Sequence, residues 1–485
     1  MSIDNSILAH ISQCRLLQAT GQTAQRVVVA YSGGVDSSVL LHGLVAAARQ
    51  SLIPINISSI VALHINHQLS PQADQWQQHC EQFAQQLGVT YYSQTVAIKN
   101  GGQGIEAAAR TARYAIFEDY LQPSDCLVLG HHQQDQAETL LFRLCRGAGV
   151  KGLAAMPASR ALGCAVLYRP LLEVSQQAIV QYAQQHQLTW VDDHSNVDDQ
   201  YDRNFLRHQA IPLLQQRWSS LVSQLSTTAI TMAQTQALLT EFAKEDFSRV
   251  DEKKARTGFS VNLQALAALS LPRRNNVLRY WCERHDVSLP TNEQLSALNQ
   301  QFFDVELPEA PCELDELKAS IVTSKVSPAK ACVSWGRCEV RYFSGRLYLM
   351  IALPKFIAPP EIEWDGISDV DLQGAGMLRV VNKPSDVDCA YQKTHEKTTS
   401  NGISLTAQAY QIRWRQGGER CTPADRQHSQ TVKKLLQEYQ LETWLRDRVP
   451  LIYADDELVA VGDLWVNKGY ELEVGNLSAV VQWYL

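Results

Sequence analysis

Hydrophobic and polar positions follow two alternating periods along the first 215 residues. Apolar runs of strand length lie at 26–31, 57–65, 90–98 and 126–130, and stretches of helical periodicity lie between them. Strands and helices that alternate in this way are typical of a parallel sheet with helices on both faces. The pattern therefore predicts a doubly wound α/β domain over residues 1–216.

Downstream of Trp218 the strand pattern disappears, and Leu and Ala recur at helical spacing as far as about Phe303. Residues 337–351 instead predict a hairpin that turns at Ser344 and Gly345. A proline-bearing linker and a polar stretch follow, after which strand and helix patterns return. We therefore expect three further parts: a mainly helical domain at 217–352, a linker and irregular region at 353–401, and a small α+β domain at 402–485.

Composition limits the class of protein. The chain has 485 residues, of which 45% are hydrophobic and 19% charged, so it can bury a core in each domain. Its 43 Lys and Arg against 50 Asp and Glu give a net charge of -7, so any nucleic-acid site has to be a local patch. The eleven cysteines contain no CxxC, which argues against a disulfide framework and a zinc finger. With no signal peptide and no 18-residue apolar run in the sequence, we expect a cytoplasmic protein without membrane contact.

The strongest chemical signal is a glycine-rich turn between an apolar run and a helical stretch. Two glycines allow successive backbone N–H groups to point at an anion, and the start of a helix adds its positive end. The turn predicts a phosphate-binding loop without the lysine of a Walker A motif. An ordinary strand-to-helix turn, capped by Ser32 or Asp36, is the structural alternative. The loop residues are Ser32, Gly33, Gly34, Val35, Asp36, Ser37 and Ser38.

A second cluster of polar residues follows the apolar run at 126–130. On a helix that includes all three, His131, Asp135 and Glu138 would share one face. These side chains would lie beyond the carboxyl end of a parallel strand, where they could bind Mg²⁺ or orient a substrate base. A solvated polar face near a helix start is the alternative interpretation.

Two arginine-bearing segments are candidates for phosphate contacts. Arg110 and Arg113 lie one turn apart on a stretch with high helix propensity, although Arg110 could equally pair with Glu106 on a wet surface. Further along, the cluster at 192–196 is followed by a segment with basic side chains beside carboxylates, at 201–207. This second segment could bind both an amine and a phosphate.

Taken together, these motifs resemble one family. SGGVDS is similar to the PP-loop of the ATP pyrophosphatase superfamily, whose members cleave ATP between the α and β phosphates. The combination and order of six segments resemble the tRNA(Ile)-lysidine synthetases, and residues 412–469 look like that family's C-terminal domain. One departure is Gln134, where the family usually has Asp. The six segments are SGGVDS, HINHQLS, GIEAAARTARY, GHHQQDQAETLLFRLCRGAG, RPLL and DDQYDRNFLRHQAIPLL.

The resemblance implies an ATP-dependent carbon–nitrogen ligase. Such an enzyme adenylylates the C2 oxygen of the wobble cytidine in the CAU anticodon of tRNA(Ile), using ATP and Mg²⁺. L-lysine then displaces AMP, and the product, lysidine, changes the codon read from AUG to AUA. The family also suggests a homodimer.

Residue roles follow from the resemblance as hypotheses. The loop would hold the departing pyrophosphate, and Asp36 would bind Mg²⁺. Arg113 would stabilise charge that develops during adenylyl transfer. Asp135 and Glu138 would position cytosine or the lysine ammonium. Substrate contacts around them are expected from four residues: His131, Arg203, Asn204 and Arg207.

A basic patch in the C-terminal region could contact tRNA phosphates. Residues 411–450 contain eight Lys or Arg against five Asp or Glu, a net charge of +3 in an acidic protein. Our candidates there are Arg415, Arg420, Lys433 and Lys434. A solvated face with paired charges is the alternative.

Two rival functions stay open at this stage. A PP-loop tRNA 2-thiolation enzyme would activate the same kind of carbonyl, but such enzymes need paired cysteines, and the chain has no CxxC. A non-catalytic tRNA-binding protein on the same fold would not need an intact SGGVDS loop.

Overall fold

The computed structural model describes residues 3–12, 24–68, 70–97, 105–191, 202–303, 332–381, 402–404, 409–471 and 478–485. The chain divides into two units, Met1–Leu238 and Leu239–Leu485. The cluster at 192–196 and residues 382–401 of the expected linker lie outside the described residues. The bounds of the four parts expected from the sequence stay predictions.

Among its described residues, the first unit contains six strands, whose order across the sheet is β3-β2-β1-β4-β6-β5. All neighbouring pairs are parallel except β5 and β6, which form an antiparallel edge. The elements up to and including the helix that runs across the division are α1 (Ile3–Ser12), β1 (Arg26–Ala30), α2 (Val35–Arg49), β2 (Ile60–Asn66), α3 (Ala73–Leu87), β3 (Thr90–Thr95), α4 (Ile105–Tyr120), β4 (Asp125–Val128), α5 (Gln133–Cys145), α6 (Val150–Leu153), β5 (Ser159–Leu162), β6 (Ala165–Tyr168), α7 (Gln176–Gln185), α8 (Asp202–Phe205), α9 (Ile211–Arg217) and α10 (Leu221–Phe247), with a π-helical turn at Leu206–Ala210 between α8 and α9.

Both faces of this sheet are buried, as a doubly wound fold requires. Val27 and Val29 of β1 pack into one apolar cluster with α1, α2, α3 and α7. Val28, which points the opposite way, packs into a second cluster with Phe117 of α4. The predicted doubly wound parallel sheet is therefore confirmed. No helix in the described part of the chain is both long and apolar enough to cross a bilayer.

Two glycines allow backbone segments to approach closely beside the first strand. Gly33 has a φ of +87°, and a Cβ on it would lie 2.8 Å from Cys80 Sγ. A Cβ on Gly130, just after β4, would lie 3.1 Å from the carbonyl carbon of Asp36. The contact at Gly33 places the loop against α3, and the contact at Gly130 places the end of β4 against the first turn of α2. A side chain at either position would therefore displace the glycine-rich loop.

The second unit contains three antiparallel sheets of four or five strands and one short two-stranded sheet among its described residues. Its elements after α10 are β7 (Lys253–Ala255), β8 (Gly258–Asn262), α11 (Leu263–Ala267), α12 (Leu271–Arg284), α13 (Asn292–Phe302), β9 (Cys332–Trp335), β10 (Cys338–Phe343), β11 (Arg346–Ile351), β12 (Ile362–Trp364), β13 (Val370–Asp371), β14 (Met377–Val381), β15 (Gly402–Ser404), β16 (Tyr410–Arg413), β17 (Arg420–Cys421), β18 (Gln430–Thr431), α14 (Val432–Glu438), β19 (Leu451–Ala454), β20 (Glu457–Val461), β21 (Trp465–Val466) and β22 (Ser478–Tyr484).

The expectation of a strand-free stretch between Trp218 and Phe303 is wrong at one place. Strands β7 and β8 form a hairpin there, and β8 pairs with β11 in a five-stranded sheet. They are too short to show a clear period of two, and their pairing partner lies about 90 residues away. The hairpin at Ser344 and Gly345 is confirmed, because both residues have positive φ and join β10 to β11.

Gly33→Ala should destabilise the protein more than Gly88→Ala. Both glycines have positive φ, but a Cβ at Gly88 would meet open space, whereas one at Gly33 would collide with Cys80. Gly88→Ala therefore isolates the backbone strain, on the order of 1 kcal/mol. Urea unfolding of the two variants measures the difference, and equal losses would show that the loop does not press on α3.

Candidate active site

A cavity of about 490 Å³ opens at the carboxyl ends of the central strands of the first unit. Ligands of doubly wound proteins bind at this edge of the sheet. The cavity brings together most of the residues singled out from the sequence. Its polar lining includes Ser32, Asp36, Ser37, His64, Asn66, His67, Gln68, Ser70, Arg113, His131, Asp135, Arg203, Asn204 and Arg207, and its apolar lining includes Leu63, Trp76, Phe117 and Leu129.

The glycine-rich loop is held in shape by its own hydroxyl groups. Ser37 Oγ donates to the carbonyl of Gly34 at 3.0 Å and lies 3.1 Å from Ser32 Oγ. Ser38 is fully buried, 3.3 Å from the Tyr31 hydroxyl, and donates to the carbonyl of Gly33 at 3.4 Å. Ser32 and Ser37 therefore line the cavity, whereas Ser38 supports the loop from behind.

Asp36, in the first turn of α2, carries a carboxylate oxygen whose hydrogen-bonding capacity is not used. Its Oδ1 is buried and has no hydrogen-bond partner among the described residues. His132 Nε2 lies 3.6 Å from this oxygen, too far for a hydrogen bond. A buried carboxylate oxygen without a donor is suited to a hard cation such as Mg²⁺.

His131 precedes helix α5 and is not part of it, so the predicted helical face shared with Asp135 and Glu138 is wrong for this residue. His132 is the N-cap: its Nδ1 accepts from the Gln134 backbone N–H at 3.2 Å, while Asp135 Oδ2 accepts from the His132 N–H at 3.0 Å. Gln134, the departure from the family pattern, thus contributes its backbone to the cap. Only Asp135 and Glu138 share the helical face.

The two carboxylates of α5 are paired with two arginines from the segment that includes α8. Arg203 Nε and Arg207 Nε donate to the Glu138 carboxylate at 3.0 and 2.7 Å. The Nη2 atoms of the same arginines donate to Asp135 Oδ1 at 2.9 and 3.1 Å. Glu138 is 0% exposed, and it does not line the cavity. Its geometry therefore favours a role in holding the arginines over the expected direct contact with substrate.

Asp135 stays ionised in this arrangement. Burial raises its pKa, but the charges of His132 and Arg203 outweigh burial and lower the pKa to about 2. His131 is affected in the opposite sense. Burial, together with the charges of Arg169 and Arg203, lowers its pKa to about 3 against the attraction of Asp135. At neutral pH the cavity therefore contains a fixed anion beside a neutral imidazole.

Of the two arginines considered in α4, the structure places Arg113 in the cavity wall. Arg110 instead lies over the ring of Tyr114, 5.2 Å from its centroid. The position of Arg113 agrees with the role expected from the resemblance, and that role stays a prediction.

Sequence reasoning missed a polar wall that comes from the end of β2. His64, buried beneath this wall, has its Nδ1 3.0 Å from the carbonyl oxygen of Tyr31. His67 has a buried Nδ1 without a hydrogen-bond partner among the described residues, and burial together with Arg113 lowers its pKa to about 4. The signal was present in HINHQLS, because polar residues directly follow a buried strand, and parallel strands of one sheet bring such residues to the edge where the loop lies.

In the second unit, two of the four candidate residues of the expected basic patch are paired with carboxylates. Arg415 pairs with Asp447 at 2.5 Å, and Lys434 Nζ lies 3.8 Å from Glu438. Arg420 donates to the carbonyl of Ser429 at 3.0 Å. Lys433 is exposed on α14. The structure therefore supports the paired-charge alternative for part of the patch, and tRNA contacts there stay a prediction.

Comparison with known proteins places this geometry in a family. The family model of the PP-loop domain matches residues 8–214, that of the TilS substrate binding domain matches 262–310, and that of the TilS substrate C-terminal domain matches 410–483. The tRNA(Ile)-lysidine synthase of Coxiella burnetii is 36% identical over 444 residues, which cover 91% of this chain and 90% of that protein. The tRNA(Ile)-lysidine synthase of Xanthomonas axonopodis is 34% identical, over 94% of this chain and 93% of that protein.

The fold and the site together define a PP-loop enzyme that uses ATP. Within that class, the chain belongs to the tRNA(Ile)-lysidine synthase family. Among solved structures, the U34-tRNA thiolase of Methanococcus maripaludis is 13% identical over 47% of this chain and 77% of that chain, with a TM-score of 0.37.

Replacing Glu138 with Gln should strongly destabilise the protein. The change removes the more deeply buried of the two carboxylates that neutralise Arg203 and Arg207 and leaves Asp135 to pair with both, at a cost on the order of 3 kcal/mol. Glu245→Gln, which breaks the exposed pair with Arg249, is the matched control and should barely change stability. Urea unfolding compares the two, and similar small losses would contradict the structural role of Glu138.

His131 predicts a specific loss of stability in acid. Between pH 6.5 and about 3, the unfolded chain binds a proton at this position that the folded chain does not. The unfolding free energy therefore falls as pH falls through this window, by up to about 1.4 kcal/mol per pH unit. His131→Gln should show a shallower decline between pH 6.5 and 5, measured by urea unfolding. Parallel declines would mean that the ring titrates normally in the folded protein.

Proposed function

We propose that this cavity carries out both steps of lysidine formation on tRNA(Ile) with a CAU anticodon. The observation that carries the proposal is that the phosphate-binding loop, Arg113, His131 and the Asp135–Arg203–Arg207 cluster face one space. Two successive reactions on the same base need the ATP phosphates, the base and the amine within reach of each other. The family of the chain, with full-length relatives, supports the same chemistry.

In the first step, O2 of the wobble cytosine attacks the α-phosphorus of ATP. The bond from the α-phosphorus to the bridging oxygen breaks, and pyrophosphate leaves into the loop formed by Ser32 and Ser37. Arg113 stabilises the negative charge that develops on the phosphoryl oxygens. The cytosine ring becomes activated at C2, because its oxygen is now an ester of AMP.

Asp36 would hold the Mg²⁺ ion that accompanies ATP. The buried Oδ1 without a hydrogen-bond partner fits this role, because Mg²⁺ in phosphate sites is commonly bound by one or two carboxylates together with the phosphates. When bound, the ion neutralises phosphate charge and so lowers the barrier to attack. No other metal ligand is assigned, since the described residues contain no cluster of three or more ligating side chains.

In the second step, the ε-amine of L-lysine attacks C2, the bond between C2 and O2 breaks, and AMP leaves with that oxygen. The amine must lose a proton before or during attack. Asp135, which stays ionised, lines the cavity and can orient the incoming ammonium group. Glu138 acts one layer further out, by fixing Arg203 and Arg207, and Asn204 completes this wall.

Contacts with the tRNA body are proposed for exposed basic residues of the second unit. Lys433 lies on the exposed face of α14, and Arg420 is also exposed. Arg415 and Lys434 can exchange their protein carboxylates for RNA phosphates, since exposed ion pairs contribute little to stability. A homodimer stays an expectation from the family.

The reaction itself is tested with ATP, Mg²⁺, radiolabelled L-lysine and unmodified CAU-anticodon tRNA(Ile). Acid-insoluble label should appear together with one AMP per lysine, and both should be lost when the wobble C is changed to U. AMP release without lysine incorporation would support the proposed cleavage of ATP but would contradict the proposal that lysine is the nucleophile.

Replacing Lys433 and Lys434 together with Ala should flatten the dependence of tRNA binding on salt. Each phosphate contact that is lost should reduce the slope of log K against log salt by about 1. Lys355→Ala, at an exposed lysine before β12, is the control and should leave the slope unchanged. An unchanged slope in the double variant would remove α14 from the RNA interface.

A further inference from the structure

Arg169 is a buried arginine that the mechanism above does not use. It follows β6 directly, and only 3% of it is exposed. Its Nη1 donates to the carbonyl of Pro157 at 2.7 Å, and its Nε donates to His131 Nδ1 at 3.0 Å. The guanidinium is thus hydrogen-bonded to the backbone through Nη1 and to a residue of the cavity wall through Nε.

This contact determines which nitrogen of His131 carries the proton. A guanidinium has only donors, so the nitrogen that it faces must present a lone pair. With Nδ1 unprotonated, the proton of the neutral ring is on Nε2. His131 lines the cavity, and in this tautomer Nε2 offers a hydrogen-bond donor and no acceptor.

The burial of the Arg169 guanidinium costs folding free energy, which favours a role beyond packing. Within the described part of the chain, no carboxylate forms an ion pair with this guanidinium. Its pKa is lowered by burial, which together with the charges of Arg160 and Arg110 outweighs the opposing interaction with the Tyr114 side chain. A buried cation without an anionic partner destabilises a fold, so a simple packing role would be served better by an apolar side chain.

The sheet brings the two residues together. Strands β4 and β6 are parallel neighbours, with Val128 opposite Tyr168, and the Leu129 N–H donates to the carbonyl of Tyr168 at 3.0 Å. Arg169 and His131 therefore leave the same edge of the sheet from adjacent strands. The two residues are 38 positions apart in the sequence, so no local pattern predicts the contact.

The geometry points to Arg169 as a positioning residue that holds His131 in the Nε2–H tautomer, so that the ring donates to an oxygen of the bound nucleotides. This inference rests on the proposed function for the reaction that it serves. Arg169 itself touches no substrate, and it acts through His131 alone.

The first test is the ¹⁵N spectrum of the full-length protein labelled at histidine, with His131 assigned by comparison with His131→Gln. At pH 7 the wild-type ring should show a protonated Nε2 and an unprotonated Nδ1. A protonated Nδ1 would overturn the inference without any arginine variant. Arg169→Met should give a mixture of tautomers, and an unchanged spectrum would also overturn it.

Arg143→Met is the matched control for this spectrum. Arg143 also donates to two backbone carbonyls, those of Gly152 and Ala155, at 3.0 and 2.8 Å. No hydrogen bond joins it to His131 within the described residues. The variant should leave the His131 tautomer unchanged, and a mixture of tautomers in it would show that any loss of a nearby arginine disturbs the ring.

The second test is a double-mutant cycle on lysine incorporation. Arg169→Met should lower kcat at least tenfold while the KM for ATP changes less than twofold, and in a His131→Gln background it should have less than a twofold effect. If the fold-losses in kcat of the two single variants multiplied in the double variant, Arg169 would have only a structural role and the inference would be overturned. If His131→Gln alone kept full activity, the proposed role of His131 would fail, and the tautomer spectrum would still decide whether Arg169 holds the ring.

Discussion

The burial of two carboxylates on one helix is the constraint on which the site depends. Asp135 and Glu138 lie on the same face of α5, and the Glu138 carboxylate is out of contact with solvent. Uncompensated, such charges would cost several kcal/mol. Arg203 and Arg207 supply the counter-charge with five hydrogen bonds of 2.7 to 3.1 Å. The segment that includes α8 is thereby fixed against α5 and becomes a wall of the cavity.

Because of this constraint, the charged groups of the site have different roles. Glu138 is fully engaged with the arginines, whereas Asp135 shares them and also faces the cavity. Beside them, His131 is kept neutral by burial and by the arginines around it. The π-helical turn at 206–210 occurs where Arg207 reaches back to α5, and such turns are frequently found at functional sites. Fixed charges and a neutral donor are therefore held in place before substrate arrives.

Much of this architecture could be predicted from the sequence, because short-range patterns determine it. The phosphate-binding loop is formed by seven consecutive residues, and the strands of the first sheet are continuous apolar runs. The pairing of α5 with Arg203 and Arg207 joins positions 65 to 72 residues apart, and no local pattern reports it. His131 was misplaced for a different reason. Helical periodicity cannot show where a helix begins, and here His132 provides the cap.

The central step of the proposed reaction is the esterification of O2 of the wobble cytosine to AMP before lysine replaces it. The most direct measurement is the fate of that oxygen in a tRNA(Ile) that carries ¹⁸O only at C2 of the wobble cytosine. After a complete reaction with ATP and lysine, the account predicts that the label is recovered in the phosphate of AMP. Label found in water or retained in the tRNA, with unlabelled AMP, would contradict it.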